Sequence, residues 1–155
     1  MKALLVVMVM SGAAAAETKL GVMADAGVPD GATASLVFRP VSALRLHGGV
    51  AYNTISTGAR VGVTVAPLKS WFTPTLSVDY GRYPEGELAA FDRKMTVGYD
   101  FANGHIGFAL GRKRASFFLQ AGMSRVSAAV HDESTDAKLV VWTPSARLGF
   151  VLYVY

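Results

Sequence analysis

The sequence predicts an all-β chain: an eight-stranded antiparallel up-and-down barrel that crosses a membrane with its strands, behind a cleavable signal segment. Three observations predict it. Apolar residues alternate with small or polar ones over most of the chain after residue 17, and period two is the mark of a strand with side chains on opposite faces. The face opposite the aliphatic one carries Gly, Ala, Ser and Thr with isolated Arg, His and Asp, not the many Lys and Glu of a face that meets water. Connections alternate between tight turns and longer polar segments, as the two rims of a transmembrane barrel do.

Residues 1–16 form a separate unit. Lys2 precedes the apolar run Ala3 to Met10, Ser11-Gly12 breaks it, and Ala13 to Ala16 offer an Ala-x-Ala cleavage site. This is the layout of a secretory signal peptide. The apolar run is far short of the roughly 20 residues that an uncleaved helical anchor needs. Residues 17–155 are then one barrel domain that begins at Glu17.

The first strand covers about Thr18 to Val28, with Leu20, Val22, Ala24, Ala26 and Val28 opposite Gly21, Met23, Asp25 and Gly27. Pro29-Asp30-Gly31 is a turn signal. The second, Ala32 to Arg39, sets Ala34, Leu36 and Phe38 against Thr33, Ser35 and Val37, and Pro40-Val41-Ser42 turns the chain. The third, Ala43 to Asn53, sets Leu44, Leu46, Val50 and Tyr52 against Arg45, His47 and Ala51. The fourth, Gly58 to Ala66, is the cleanest: Ala59, Val61, Val63 and Val65 oppose Arg60, Gly62 and Thr64. The fifth, Trp71 to Tyr80, sets Phe72, Leu76, Val78 and Tyr80 against Thr73, Thr75, Ser77 and Asp79. A connection rich in Gly, Pro and charge follows over 81–93.

The sixth strand is ambiguous. Ile106, Phe108 and Leu110 share one face, whereas Met95, Val97, Tyr99 and Phe101 share a face of the opposite parity. Three geometries fit: a bulge near Ala102-Asn103-Gly104, a loop over 94–99 with Tyr99 and Phe101 pointing inward, or a hairpin turn at Asn103-Gly104 that adds a strand. The seventh strand, Ala115 to Val126, sets Phe117, Leu119, Ala121 and Met123 against Ser116, Phe118, Gln120 and Ser124; a polar loop spans 127–138. The last stretch, Val140 to Tyr155, has one wholly apolar face of Trp142, Pro144, Ala146, Leu148, Phe150, Leu152 and Val154. In water such a strand is an adhesive sheet edge; it suits a barrel that closes on its first strand and faces lipid.

Aromatics gather near strand ends. Phe38, Tyr52, Trp71, Phe72, Tyr80, Trp142, Tyr153 and Tyr155 are expected to form two interface girdles. A soluble lipocalin-like barrel, which binds an apolar ligand inside, is the alternative arrangement of the same alternation. It would need a water-facing polar surface.

Composition excludes other classes. The 155 residues contain no Cys, so neither a disulfide framework nor a thiolate metal site exists. The net charge of +4 is scattered, with no basic run longer than Arg112-Lys113-Arg114, so no nucleic-acid partner is expected. Charged residues on the small-residue face, namely Asp25, Arg45, His47, Arg60, Asp79 and Arg147, are expected to pair as a network inside the barrel, because buried charges must be paired. An eight-stranded barrel is just wide enough for its side chains to fill, so the lumen is expected to be a plug.

These features resemble the small bacterial outer-membrane barrels of the OmpA and OmpX type: a signal segment, eight alternating strands, short turns opposite longer loops, and a C-terminal strand with Tyr155, Tyr153 and Val151 at alternate positions. The family pattern expects a glycine where this chain has Phe150, with Gly149 one place off. The resemblance implies a monomer in the outer membrane, in contact with its lipid and lipopolysaccharide, inserted by the barrel-assembly machinery. Some small barrels of that membrane modify lipid A, and His131-Asp132-Glu133-Ser134 contains the residue types of a Ser/His/acid hydrolase. Neighbours on one loop rarely assemble a triad, so no enzyme activity is expected. No metal-ligand spacing or phosphate loop appears, so no metal or cofactor is expected. Segments 81–93 and 127–138 are the expected contacts with an external ligand, since function gathers on loops held by a rigid scaffold.

Overall fold

The computed structural model describes residues 19–54, 56–68, 70–90, 93–112, 114–132 and 135–154. The signal segment, Tyr155 and the side chains of His131 to Ser134 lie outside the described residues. Eight strands run in order: β1 (Lys19–Val28), β2 (Gly31–Val41), β3 (Leu44–Tyr52), β4 (Thr57–Val65), β5 (Phe72–Ala90), β6 (Arg93–Arg112), β7 (Ala115–Asp132) and β8 (Thr135–Tyr153). Each pairs antiparallel with the next, and β8 pairs with β1 from Gly21↔Tyr153 to Val28↔Ala146, which closes the barrel.

The alternation resolves into two environments. Leu36 is 73% exposed, Ile106 69% and Val78 61%, whereas Arg60, Asp79 and His105 are each 1% exposed. The aliphatic face therefore points outward on every strand, and the small and polar face lines the lumen. No helix among the described residues is long and apolar enough to cross a membrane.

The two halves of the barrel differ in height. The strands β1 to β4 contain 9 to 11 residues, whereas β5 to β8 contain 18 to 20. Of the segments 81–93 and 127–138, expected to be loops, the described residues 81–90, 93, 127–132 and 135–138 instead belong to the paired strands β5 to β8. Pairing continues to Ala90↔Arg93 and Asp132↔Thr135. Polar composition suggested loops there, but the backbone donors and acceptors of these stretches still find partners across the ladder. A register shift between Tyr83 and Gly86 bends β5 above the point where β4 ends. Pro40, expected in a turn, lies within β2 beside a register shift between Phe38 and Val41, a position suited to a residue without an N–H.

The ambiguity of the sixth strand has a simple outcome. β6 pairs with β7 without a shift from Thr96↔His131 to Arg112↔Ala115. Asn103 pairs with both Asp79 and Ser124, so neither a bulge nor a hairpin turn occurs there. Tyr99 and Phe101 do point inward, but from within the strand rather than from a loop. The parity of apolar residues changes because their burying surface changes sides. Ile106 belongs to the outward belt, whereas Phe101 packs with Tyr83 and Ala51 over the lumen mouth.

Gly81 and Gly104 face opposite sides of this wall. A Cβ on Gly81 would lie 2.2 Å from Cζ of Phe101, whereas one on Gly104 would meet nothing within 4 Å. Gly81→Ala should therefore lower stability by about 1–3 kcal/mol, as overpacking does, and Gly104→Ala should stay within about 0.5 kcal/mol of wild type. Urea unfolding of the two variants side by side checks the inward and outward assignments.

Candidate functional site

The lumen holds a connected polar network. Arg60, on β4, donates from Nη2 to Oδ2 of Asp25 at 2.5 Å and from Nη1 to Oδ2 of Asp30 at 3.0 Å. Asp30 sits in the β1–β2 turn but folds over the mouth, 1% exposed. Asn103 Nδ2 donates to Asp30 Oδ1 at 2.7 Å, and the Tyr83 hydroxyl donates to the Asp30 carbonyl oxygen.

A second centre is Asp79, on β5. Its Oδ1 receives His47 Nε2 at 2.6 Å and Arg147 Nη1 at 2.9 Å, and His105 Nδ1 lies 3.5 Å from Oδ2. Arg147 also donates to Gln120 Oε1 at 2.7 Å and to Ser77 Oγ at 2.9 Å. Gln120 in turn donates to Thr75 Oγ1 at 2.9 Å. Gly62 stands in register between His47 and Asp79. A Cβ there would lie 2.2 Å from Asp79 Oδ1 and 2.4 Å from His47 Nε2, so the absent side chain makes room for the pair.

Apolar groups close both ends. At the end with tight turns, Met23, Val37, Ala109, Phe118, Val151 and Tyr153 cluster. At the hairpin end, Tyr83 stacks on Tyr99 with ring centroids 4.8 Å apart, and Phe101 packs beside them. A small cavity beside Arg45, His47 and Arg147 has room for roughly one water.

Asp25, His47, Arg60, Asp79 and Arg147 therefore meet inside the barrel, in two clusters. Arg45 departs from the expectation. It lines the cavity but forms no ion pair among the described residues. Of the aromatics, Phe38, Tyr52, Trp71, Phe72, Tyr80 and Trp142 are exposed on the outside. Tyr153 is a correction: it is 7% exposed and belongs to the lumenal cluster, since it shares parity with Arg147 and Val151 rather than with Leu152. Tyr155 lies outside the described residues.

Sequence reasoning missed Asp30, Asn103, His105, Gln120 and Ser145 as network members. Asp30 looked like turn chemistry alone. Asn103 and His105 were hidden by the parity change in β6, although both alternate with Ile106.

One part of the network has the residue types of a nucleophile triad. His105 Nε2 lies 2.6 Å from Ser145 Oγ, and its other nitrogen faces Asp79. However, Ser145 Oγ also lies 2.8 Å from the Val28 carbonyl oxygen, which can only accept. With its single proton given to Val28, Ser145 accepts from His105, so the imidazole acts as donor and not as base. All three side chains are buried in the filled lumen. The geometry braces β8 against β1 and β6.

Arg60→Ala leaves Asp25 and Asp30 buried without their cation. Breaking a buried pair by removing one partner costs about 3–5 kcal/mol, and the urea midpoint should fall accordingly. A loss below about 1 kcal/mol would mean that the Arg60 cluster behaves as a solvated surface pair.

No family model matches the chain, and no curated protein matches it in sequence. Solved structures do. The N-terminal β-barrel domain of Pseudomonas aeruginosa OprF superposes with a TM-score of 0.52 at 11% identity, covering 87% of this chain and 96% of that one. A major outer membrane protein from Thermus thermophilus follows at 0.47 and 15%, covering 88% and 99%. Acinetobacter baumannii CarO2 follows at 0.45 and 12%, covering 88% and 99%. At these identities the likeness concerns fold, and the fold is the closed eight-stranded antiparallel barrel that the OprF N-terminal domain also has.

Proposed function

We propose that the chain is an integral outer-membrane barrel with a plugged lumen, whose role is structural or surface-interacting, carried by the two tall hairpins. The observation that supports this is the inside-out distribution of polarity. Aliphatic side chains are exposed around all eight strands, while the charged residues of the lumen are buried. A contiguous apolar surface of this extent marks contact with lipid or protein. The nine residues of β3 or β4, at about 3.3 Å each and about 40° of tilt, span about 23 Å. A membrane barrel's apolar band is about 25 Å tall.

The soluble-barrel alternative calls for an apolar interior around a ligand cavity; this interior is charged and filled. The lipid-modifying alternative calls for a Ser–His pair open to the membrane face near the rim; the pair found here is enclosed in the lumen. Proposed partners are the lipid of the outer membrane, including lipopolysaccharide, the assembly machinery during insertion, and an external ligand at the hairpins.

The first test is gel mobility of the membrane fraction, boiled against unboiled. A heat-dependent shift in the outer-membrane fraction is expected; a soluble protein without a shift would overturn the proposal. The same assay should rank variants. Leu36→Arg, in the middle of the belt, should lower folding stability in bilayers by about 2–4 kcal/mol, and Ser127→Arg, above it, should have little effect.

Orientation has its own test, helped by the absence of native Cys. Lys138→Cys, on β8 above the belt, should be labelled on intact cells by a membrane-impermeant maleimide. Arg114→Cys, at the opposite rim, should be labelled only after the outer membrane is opened.

A further inference from the structure

We propose that the outer surface carries a specific seat for a phosphate-bearing lipid headgroup, centred on Arg125. This inference rests on the membrane placement above. The register sets Tyr80 beside Ala102, Ala102 beside Arg125, and Arg125 beside Trp142, so the four form one outward row across β5, β6, β7 and β8. Tyr80 is 52% exposed and Trp142 64% exposed, and Arg125 is exposed between them. The row below, Val78, Gly104, Met123 and Pro144, carries no charge. The row above, Arg82, Asp100, Ser127 and Val140, is charged or polar at three of its four positions. Arg125 thus stands at the level where the apolar belt ends.

The charges there do not cancel. Among the described residues Arg125 forms no ion pair, and the carboxylate one row above it on the neighbouring strand, Asp100, is already 3.6 Å from Arg82 Nε. The next outward level adds Glu85, which packs over Gly98, and Lys138, paired with Ala129; three cations, Arg82, Arg125 and Lys138, against two carboxylates, Asp100 and Glu85, leave a net positive site. A planar guanidinium at the boundary between apolar and polar regions fits a phosphate oxygen pair. Tyr and Trp beside it are the side chains that favour the headgroup level.

A second feature lies directly beneath. On the outward face of β6, Ala102 and then Gly104 leave a furrow between Tyr80 and Val78 on one side and Arg125 and Met123 on the other. Nothing lies within 4 Å of where a Cβ of Gly104 would be. The furrow leads from the cations down the belt toward Ile106, the direction in which an acyl chain runs from its headgroup. A soluble anion would use the cations but not the furrow, so the occupant is a phospholipid or a phosphorylated glycolipid.

The test uses the full chain folded in uncharged maltoside micelles. Trp71 and Trp142 are its two tryptophans, so Trp71→Phe leaves Trp142 as the reporter beside Arg125. Its fluorescence is followed on adding dioleoyl phosphatidic acid, dioleoylglycerol or inorganic phosphate. A saturable change with phosphatidic acid alone is expected. Arg125→Gln should raise the half-saturating lipid fraction about fivefold, the worth of one membrane-surface cation. Arg125→Lys should recover part of the affinity, and Arg114→Gln at the opposite rim should change nothing.

An unchanged titration in Arg125→Gln would overturn the proposal. An equal response to dioleoylglycerol would reduce the site to apolar insertion, and saturation by inorganic phosphate would make it a soluble-anion site; either result overturns the lipid seat. Heat-dependent mobility of each variant is recorded in parallel. If the parent chain lacks it, the membrane placement fails and this proposal with it. If mobility is retained and only the lipid titration fails, the seat alone is wrong.

Discussion

The pairing of β1 with β8 removes the two edges that an open eight-stranded sheet would expose. Once the sheet is closed, each side chain has one of two destinations, the outer surface or the lumen. Aliphatic residues occupy the first, and Asp25, Arg60, Asp79 and Arg147, carried by the alternate face, find their counter-charges in the second. Arg60 illustrates the consequence: it is fully enclosed and is held by carboxylates from β1 and from the β1–β2 turn. Asp79 collects partners from β3, β6 and β8 in the same way. Arg60–Asp25, His47–Asp79 and Arg147–Asp79 cross the barrel and tie together strands that are not neighbours in the sheet. Because breaking such a pair costs far more than forming it gains, the network acts mainly as a specification of one register. A one-residue slip would turn each charged residue to the outer face.

Much of this was legible in the sequence, for a physical reason. Period two is imposed by backbone geometry, and the contrast between Val61 or Val63 and Arg60 or Thr64 on β4 makes it visible without any structure. The composition of the small-residue face also located the inside. What was not legible was the environment along a strand. In β6 the alternation of backbone direction never breaks, but the apolar parity inverts between Phe101 and Ile106, because the apolar residues of the lower part are exposed on the outer surface and those of the upper part roof the lumen. Read as a defect in geometry, that inversion suggested a bulge or a turn. The polar segments 81–93 and 127–138 suggested loops for a related reason: above the belt, an outward strand face is free to be polar. The partners of Arg45 and Asp30 depend on three-dimensional distances across the lumen, which alternation alone does not contain.

The aromatic residues show the same division. Trp71 and Phe72 at one rim, and Tyr80 and Trp142 at the other, face outward at strand positions where the belt ends. Tyr83, Tyr99 and Phe101, in the hairpin portions of β5 and β6, and Tyr153, at the end of β8, lie at similar heights, yet they cap the lumen. Aromatic type and proximity to a rim are therefore insufficient to assign a girdle; parity decides. The two kinds of aromatic have different surroundings, one exposed on the outer surface and the other packed over the charged lumen.

The unequal wall heights give the molecule a front and a back. Four tall strands form a parapet over one side of the mouth, and the turns joining β1 to β2 and β3 to β4 form a low sill on the other. Bonds from Tyr99 to Pro29 and from Ser56 to Pro84 fasten the parapet to the sill. A molecule arriving at the mouth from the low side meets the inner face of the parapet, where Leu139 and Val141 remain exposed. One arriving from behind meets Arg82, Arg125 and Lys138. Neighbours in a crowded surface would thus see two chemically different profiles of the same barrel, and its rotation about its own axis would decide which contacts it makes.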